Sequence, residues 1–381
     1  MPAMRRIKAG IKLFEGNQRD EYLLGRPKQL IRISTSDEKA LALELISGKS
    51  EEEILNIDGV DTQALTRILN ELEVAQLIDT EQNALKVSQR YISKVQERVE
   101  KSKKGFVDAA LLQLQKRAIA ELNQCTWIDG VRDGGIKTLT ERQNPLIEIS
   151  GQNRVAAILY SLLLLSGFSQ SRCASGSRVR SPQIGDKDIG VATIGASDVG
   201  KNFLNHCESL RREQSLFPPE RDHNYLDELS TPDLIIHCGE IDPEKLSHWM
   251  STGQKFLLIP TPQADSAEIG PLVIPGKSPC LRCLALVSKE QSQIQQRFEI
   301  GQVLEAEYPQ IAAHFIAAMA ASLVANYFDL SNEENSKVQN AKQELVGTVV
   351  TVDYQSLSHP RSTVIPRHPL CGCAFQSRVE N

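Results

Sequence analysis

The sequence lacks an excess of positive charge and the features of a secreted chain. Lys and Arg total 43 against 48 Asp and Glu, which gives a formal net charge of −5. A chain with this balance has no general attraction for nucleic acid or for an anionic membrane surface. The first residues, MPAMRRIKAGIKLF, have neither the apolar run nor the small-residue cleavage site of a secretory signal.

Long apolar runs are also missing. The longest covers residues 155–168, is interrupted by Tyr160, Ser161 and Ser166, and falls short of the ~20 residues that span a bilayer. We therefore expect a buried helix there, and a cytoplasmic protein with no membrane and no nucleic acid among its partners. With 381 residues, 41% of them apolar, the chain can form two or three domains. No internal repeat is expected.

The first 80 residues alternate strand-like and helical patterns. Three strand-like runs are expected at residues 7–14, 21–24 and 29–34, the last with the two-residue alternation of a half-buried strand. Capping residues and apolar spacing then predict three helices, the third over residues 62–72. Three small strands and three helices predict a winged-helix-like module at residues 1–80.

The rest of the chain changes pattern twice. Residues 81–140 are richer in Lys, Arg and Gln and predict a helical linker. From residue 141 strands and helices alternate, which indicates βαβ units around a mostly parallel sheet. One further strand is expected at residues 191–194. The predicted fold class is α/β, with a Rossmann-like domain over residues 141–381.

Two short cysteine-containing turns are the strongest chemical signal. Cys280 and Cys283 form a CxxC turn, and Cys371 and Cys373 form a CxC turn. In a reducing compartment such pairs indicate a metal rather than disulfides. Four thiolates complete a tetrahedral Zn²⁺ shell and leave no position for water, so we predict a structural zinc. Four unpaired thiols or a redox-active CxxC are the alternatives. The other cysteines are expected to be small core residues: Cys125, Cys173, Cys207 and Cys238.

Two glycine-containing turns are candidates for a phosphate-binding loop. The first, residues 151–156, lies between a predicted strand and a predicted helix but keeps only Gly151 of the GxGxxG pattern. The second, residues 195–201, keeps its outer glycines but places Asp198 where a carboxylate repels a polyphosphate. Ordinary strand–helix turns are the better interpretation of both, so the Rossmann-like domain is predicted to be degenerate as a nucleotide site.

The order of these features resembles a known family. It is similar to the ThiF-like (ubiquitin-activating-enzyme-like) proteins of thiazole/oxazole-modified peptide (TOMM) biosynthesis, a branch of ribosomal peptide (RiPP) and bacteriocin biosynthesis. The resemblance spans nearly the whole chain. It is carried by GPLVIPG at residues 270–276, by RHPLCGC at residues 367–373, and by PLIEISGQNRVAAILYSLLLLSGF at residues 145–168.

The resemblance implies a function for the first 80 residues. They resemble the winged-helix RiPP recognition element, in which a leader peptide adds as a strand beside the third strand and contacts the third helix. On this sequence the clamp comprises residues 29–34 and 62–72. The implied peptide contacts are Leu30, Ile31, Arg32, Ile33, Leu65, Ile68 and Leu69. The alternative is that the apolar residues are simply core, which must hold for about half of them.

The resemblance also implies partners. They are a precursor leader peptide, a YcaO-type cyclodehydratase that uses ATP to form azolines, and a second copy in a homodimer. The chain itself would be non-catalytic and would present the peptide. The alternative is a ThiF-like enzyme that adenylates a peptide carboxylate. A winged-helix DNA binder is disfavoured, because residues 61–79 contain Arg67 as the only cation against four acids.

Overall fold

The protein consists of two compact units, Met1–Glu141 and Arg142–Asn381. The computed structural model describes residues 5–17, 21–81, 85, 106–151, 153–174, 183–217, 230–240, 242–263, 265–291, 307–330 and 346–374. The domain boundaries expected at residues 80 and 140 stay a prediction.

The first unit combines short strands with helices. Its strands are β1 (Arg6–Ile7), β2 (Lys12–Glu15), β3 (Tyr22–Arg26), β4 (Gln29–Ile33) and β5 (Ile78–Asp79). Its helices are α1 (Ser36–Ile46), α2 (Glu51–Leu55), α3 (Thr62–Val74), α4 (Phe106–Cys125) and α5 (Ile136–Glu141). Strands β2, β3 and β4 form an antiparallel sheet in that order, while β1 pairs with β5.

The single strand expected at residues 7–14 is wrong. Gly10 has a φ of 86°, a left-handed conformation that glycine adopts without strain, and it divides the run into β1 and β2. The helix starts, by contrast, follow local chemistry. Ser50 and Glu53 form the expected capping box of α2, and the Asp61 side chain accepts hydrogen bonds from two backbone N–H groups of α3.

The second unit contains two sheets. Its strands are β6 (Ile147–Ser150), β7 (Ser171–Cys173), β8 (Leu234–Cys238), β9 (Phe256–Ile259), β10 (Ser266–Ile269), β11 (Leu272–Val273), β12 (Thr348–Asp353) and β13 (Arg361–Val364). The main sheet has the order β11-β9-β8-β6-β7, with β11 antiparallel to its neighbour and the other strands parallel. The second sheet, β10-β12-β13, is antiparallel. The expected mixed α/β architecture is thus confirmed.

The helices of the second unit cover both faces of the main sheet. They are α6 (Arg154–Leu165), α7 (Phe203–Gln214), α8 (Pro243–Thr252), α9 (Leu281–Gln291) and α10 (Gln310–Asp329). Helix α10 passes the length and composition test for a membrane span, the one helix to do so in the described part of the chain, yet 56% of that stretch is buried. Because α10 packs along α6 through small residues such as Ala313, Ala317 and Ala320, it is a core helix.

The strand expected at residues 191–194 is also wrong. Ala192 and Thr193 have φ values of 43° and 69°, and the Ile194 N–H donates to the Val191 carbonyl at 2.8 Å, so the segment is a turn. This turn joins two copies of one structure, IGDKDIG at residues 184–190 and IGASDVG at residues 194–200.

In each of the two copies, residues 184–190 and 194–200, a glycine N–H donates to an aspartate carboxylate three residues later. The two distances are 2.8 Å for Gly185 and Asp188, and 2.9 Å for Gly195 and Asp198. The expectation that the chain has no internal repeat is therefore wrong at this local scale.

A buried ion pair ties the start of the second unit to the end of α10. Arg142 donates from Nε and from a terminal nitrogen to the two carboxylate oxygens of Asp329, at 2.9 and 2.7 Å. The two side chains are 1% and 2% exposed. Arg142 also donates to the Ser166 carbonyl at 3.0 Å. Such a pair compensates two charges that are costly to bury singly.

We predict that Asp329→Ala destabilises the protein by about 3–5 kcal/mol, because it leaves the Arg142 charge buried without its carboxylate. Urea unfolding monitored by circular dichroism measures the change. The matched control is Glu307→Ala, which removes the acid of the exposed pair that Lys187 and Glu307 form at 2.7 Å. Equal unfolding midpoints for the two variants would contradict the prediction.

Candidate functional site

Four cysteine sulfurs converge in the second unit. Cys280 Sγ lies 3.4 Å from Cys371 Sγ and 4.0 Å from Cys283 Sγ, and Cys283 Sγ lies 3.4 Å from Cys373 Sγ. All four sulfurs are within 4.8 Å of one another. Zn–S bonds of about 2.3 Å in a tetrahedron separate the sulfurs by about 3.8 Å. The cluster therefore has the donor set and size that one tetrahedral metal ion needs.

Local structure positions this cluster. Cys280 directly precedes α9 and Cys283 lies in its first turn, while Cys371 and Cys373 flank the start of a 3₁₀ turn after β13. The backbone N–H of His368 donates to Cys283 Sγ at 3.4 Å. Burial raises the pKa of the Cys283 thiol, but backbone hydrogen bonds at His368 and Cys280 help to lower it to about 7. A thiol whose pKa is lowered in this way readily gives the thiolate that binds metal.

Three of the four cysteines are buried, and Cys373 is half-buried. Cys280, Cys283 and Cys371 are 7%, 0% and 2% exposed. The Nδ1 atom of the nearby His368 is engaged in a hydrogen bond, which it accepts from the Leu370 N–H at 3.1 Å. Four cysteines saturate a tetrahedral shell, so an ion held there fastens α9 to the chain end rather than activating water.

The predicted peptide clamp lies in the first unit, where β4 is an edge strand of its sheet in the described structure. Leu30 is 42% exposed, and the exposed Arg32 pairs with Glu21 at 2.6 Å. The other implied contact residues lie in the core: Ile31, Ile33, Leu65, Ile68 and Leu69, all at 8% exposure or less. The outward face of β4 therefore presents Leu30 and Arg32, while α3 packs beneath the strand.

Glu38 fixes the end of this edge, and the sequence-based interpretation missed it. Its carboxylate accepts from the Ser34 N–H at 2.8 Å and from Arg67 of α3 at 2.5 Å, and the residue is 8% exposed. One acid thus ties the end of β4 to α1 and α3. The only signal in the sequence is an acid in the first turn of α1, which indicates helix capping and not this bridge.

In a sheet of this class, the place where a nucleotide would bind is the carboxyl edge. Ligands of open α/β sheets bind where neighbouring strands lead to helices on opposite faces. That point lies between β6, which leads to α6, and β8, which leads to α8. The two helices cover separate apolar cores, one containing Ile149 and Ile236 and the other containing Ile235 and Trp249.

The first glycine turn is occupied by protein groups. A Cβ at Gly151, whose φ is 107°, would lie 2.0 Å from the Cys238 carbonyl oxygen, so packing against β8 requires this glycine. Asn153 caps α6 by accepting from the Ala156 N–H at 3.0 Å. Arg154 donates to the carbonyls of Lys187 at 2.8 Å and Tyr308 at 3.0 Å. Its described contacts are therefore to backbone, whereas residue 152 lies outside the described residues.

In the second glycine turn, the carboxylate of Asp198 is bonded by groups of the same turn. Asp198 pairs with Lys201 at 2.8 Å and accepts from the Gly195 N–H at 2.9 Å. These two contacts lower the pKa of Asp198. The carboxylate therefore stays ionised and closes the turn. In the two turns, the Ala156 and Gly195 N–H groups are thus engaged by protein carbonyl and carboxylate oxygens.

No protein-family model matches the sequence, and no curated protein matches it. Solved structures match the fold over nearly the whole chain. The structure of E. coli MccB with MccA-N7isoASN aligns with a TM-score of 0.59 and 13% identity over 97% of this chain and 99% of that chain.

Two further structures match over similar lengths. E. coli MccB with ATP gives a TM-score of 0.57 at 12% identity, over 98% of this chain and 99% of that chain. PaaA, crystallised as its selenomethionine form, gives 0.61 at 13% identity, over 94% of this chain and 99% of that chain. Likenesses at these identities establish the fold. The predicted ThiF-like resemblance is confirmed at that level.

We predict one tightly bound metal ion per chain, and its loss in the double variant Cys280→Ser, Cys283→Ser, because two of four thiolates cannot hold it. Elemental analysis after gel filtration measures the metal, and thermal unfolding should show a destabilised second unit. The matched control is Cys173→Ser, Cys207→Ser, the same double change in the same unit. Unchanged metal content in the first variant would disprove the site.

Proposed function

We propose that the protein binds the leader segment of a ribosomally made precursor peptide and presents it to a YcaO-type cyclodehydratase for azoline formation, without catalysing that reaction. The observation that carries this proposal is the open edge of β4. Within the first unit, we interpret strands β2, β3 and β4 with helices α1, α2 and α3 as a winged-helix peptide clamp. An edge strand offers a row of backbone N–H and C=O groups to which an extended peptide can add.

Side-chain positions along β4 support the same conclusion. A peptide strand beside β4 alternates its side chains between the two faces of the sheet. On the outward face they meet Leu30 and Arg32, and on the other face they meet the surface formed by α3. The buried residues Ile31, Ile33 and Leu65 support this edge from the core. The clamp therefore needs no rearrangement of the core to accept a strand.

The fold comparisons support a peptide partner. The similar protein MccB has been crystallised with MccA, including N-formylated MccA, and is described as a microcin C7 biosynthetic enzyme. This chain and MccB align over almost their full lengths. A precursor peptide is therefore the partner class that the fold likeness favours. The cyclodehydratase and the homodimer rest on the sequence resemblance.

We assign Zn²⁺ to the four-cysteine cluster because a saturated set of four thiolates, three of them buried here, is typical of structural zinc. All eight cysteines are unpaired by disulfides. Their free state is in keeping with the proposed cytoplasmic location, where thiols stay reduced. The proposal includes no membrane and no nucleic-acid partner.

The alternative function is an adenylating enzyme that activates a peptide carboxylate. The likeness to MccB with ATP favours it, since that structure has the same fold over nearly the whole chain. The contacts of Arg154 and Asp198 in the two candidate glycine turns oppose it, because both charged groups are bonded within the protein. We therefore place leader capture first.

We predict that Leu30→Glu weakens binding of the leader peptide about tenfold or more, because it places a carboxylate beside the added strand. Fluorescence anisotropy with a labelled leader peptide measures the affinity. The matched control is Leu43→Glu on α1, the same change at a residue of similar exposure, 51% against 42%. Metal content should be unchanged in both variants. Equal affinities for the two would show that the peptide binds elsewhere.

We predict no binding of Mg-ATP to the metal-loaded protein, because backbone carbonyls already engage Arg154 and Asp198 closes the second turn. Isothermal titration calorimetry tests this without knowledge of the partner. Stoichiometric micromolar binding would favour the adenylating enzyme instead.

A further inference from the structure

A serine and a histidine meet at the point where the main sheet changes direction. Ser150 is the last residue of β6, and His237 is its register partner on β8. Both side chains lie on the sheet face opposite Ile149 and Ile236. Since the crossovers from β6 and β8 leave on opposite faces, the pair stands at the edge where this class of sheet forms a ligand crevice.

The hydrogen bonds of the pair fix its tautomer. Ser150 Oγ lies 2.9 Å from His237 Nδ1, and His237 Nε2 lies 2.6 Å from the Glu240 carbonyl oxygen. A carbonyl only accepts, so Nε2 carries the proton and Nδ1 is the acceptor. The Ser150 hydroxyl therefore donates to a basic nitrogen. Its oxygen lone pairs stay available for attack.

The histidine is held in this orientation and in its neutral form. It is 6% exposed, and the Trp249 ring packs against it with the centroids 5.8 Å apart. Burial lowers the pKa of His237, and the Lys245 ammonium lowers it further against the opposing effect of the Glu240 carbonyl. A neutral imidazole at pH 7 is the form that can accept a proton.

The serine is within reach of a ligand. Ser150 is half-buried rather than enclosed. Next to the pair, at the end of β8, Gly239 has a φ of 118°, and a Cβ placed there would have no atom of the described residues within 4 Å. Among the described residues the space beside Gly239 is therefore open, in contrast to Gly151, where the Cys238 carbonyl fills it.

We propose that Ser150 is a nucleophile, that His237 is its general base, and that the pair accepts an acyl group from an activated carboxylic ester. The arrangement contains a nucleophile, a base within hydrogen-bond distance, and a group that orients the base. In the step, Ser150 Oγ bonds to the acyl carbon and the ester C–O bond breaks. The proton passes from Oγ to Nδ1 and then to the leaving alkoxide.

This activity belongs to the second unit and is separate from leader capture at β4. Water can then attack the acyl-serine by the reverse proton route, with Nδ1 taking the water proton and returning it to Oγ. The step needs no oxidant, nucleotide or metal. Loss of either function therefore leaves the other intact.

A fluorophosphonate tests the dyad on the full-length protein. It forms a P–O bond to an activated serine, fluoride leaves, and the adduct is stable to peptide mapping by mass spectrometry. We expect a single adduct on Ser150, none on that peptide in Ser150→Ala, and a labelling rate at least about 100-fold lower in His237→Gln. The matched control Ser209→Ala removes an exposed serine bonded to Glu213 and should label at the normal rate.

Two outcomes would overturn the proposal. The first is the absence of an adduct on Ser150 in the native protein under conditions that label a serine esterase, which requires no variant to fold. The second is labelling of Ser150 that persists at the same rate in His237→Gln or in urea-unfolded protein. Either would show that the hydrogen bond between the two side chains is structural.

Discussion

The reversal of crossover direction between β6 and β8 is the constraint on which the second unit depends. Because α6 and α8 leave on opposite faces, the sheet is buried on both sides, and its strands contain continuous apolar runs such as residues 234–236. The same reversal opens a crevice at the carboxyl edge. The hydrogen-bonded pair of Ser150 and His237 lies at this edge. Arg154 begins α6, the helix that follows β6, and donates to two backbone carbonyls.

Elements with a strong local pattern could be predicted from the sequence. The apolar spacing and the Asp61 cap predict the α3 helix. The short intervals between the cysteines predict the two cysteine turns. Elements fixed by distant partners could not. Strand β13 is exposed along its whole length and exists because β12 pairs with it. Glycine is required at position 151 because the Cys238 carbonyl lies against it. The bridge made by Glu38 depends on how α1, α3 and β4 pack.

The two units use opposite ways of handling unsatisfied groups. In the first unit the edge of β4 leaves backbone donors and acceptors open, which favours an added strand. In the second, four thiols lie together, three of them buried, in an arrangement that could hold one metal ion. The proposed peptide site would bind through backbone groups, which any peptide sequence offers, whereas the proposed metal site would need all four cysteine donors.

The hydrogen bonds of Arg154 favour leader capture over adenylation. For ATP to engage this guanidinium, the carbonyls of Lys187 and Tyr308 must lose their donor. The phosphate would restore bonds to Arg154. Water can replace the donor at the exposed Lys187 carbonyl, but the part-buried Tyr308 carbonyl would lose its donor at a cost of roughly 1–3 kcal/mol. Since about 1.4 kcal/mol is a factor of ten in affinity, one such loss weakens nucleotide binding by roughly 5-fold to 140-fold. A site arranged for ATP would hold its cation ready for phosphate, and in this chain that cation supports the turns instead.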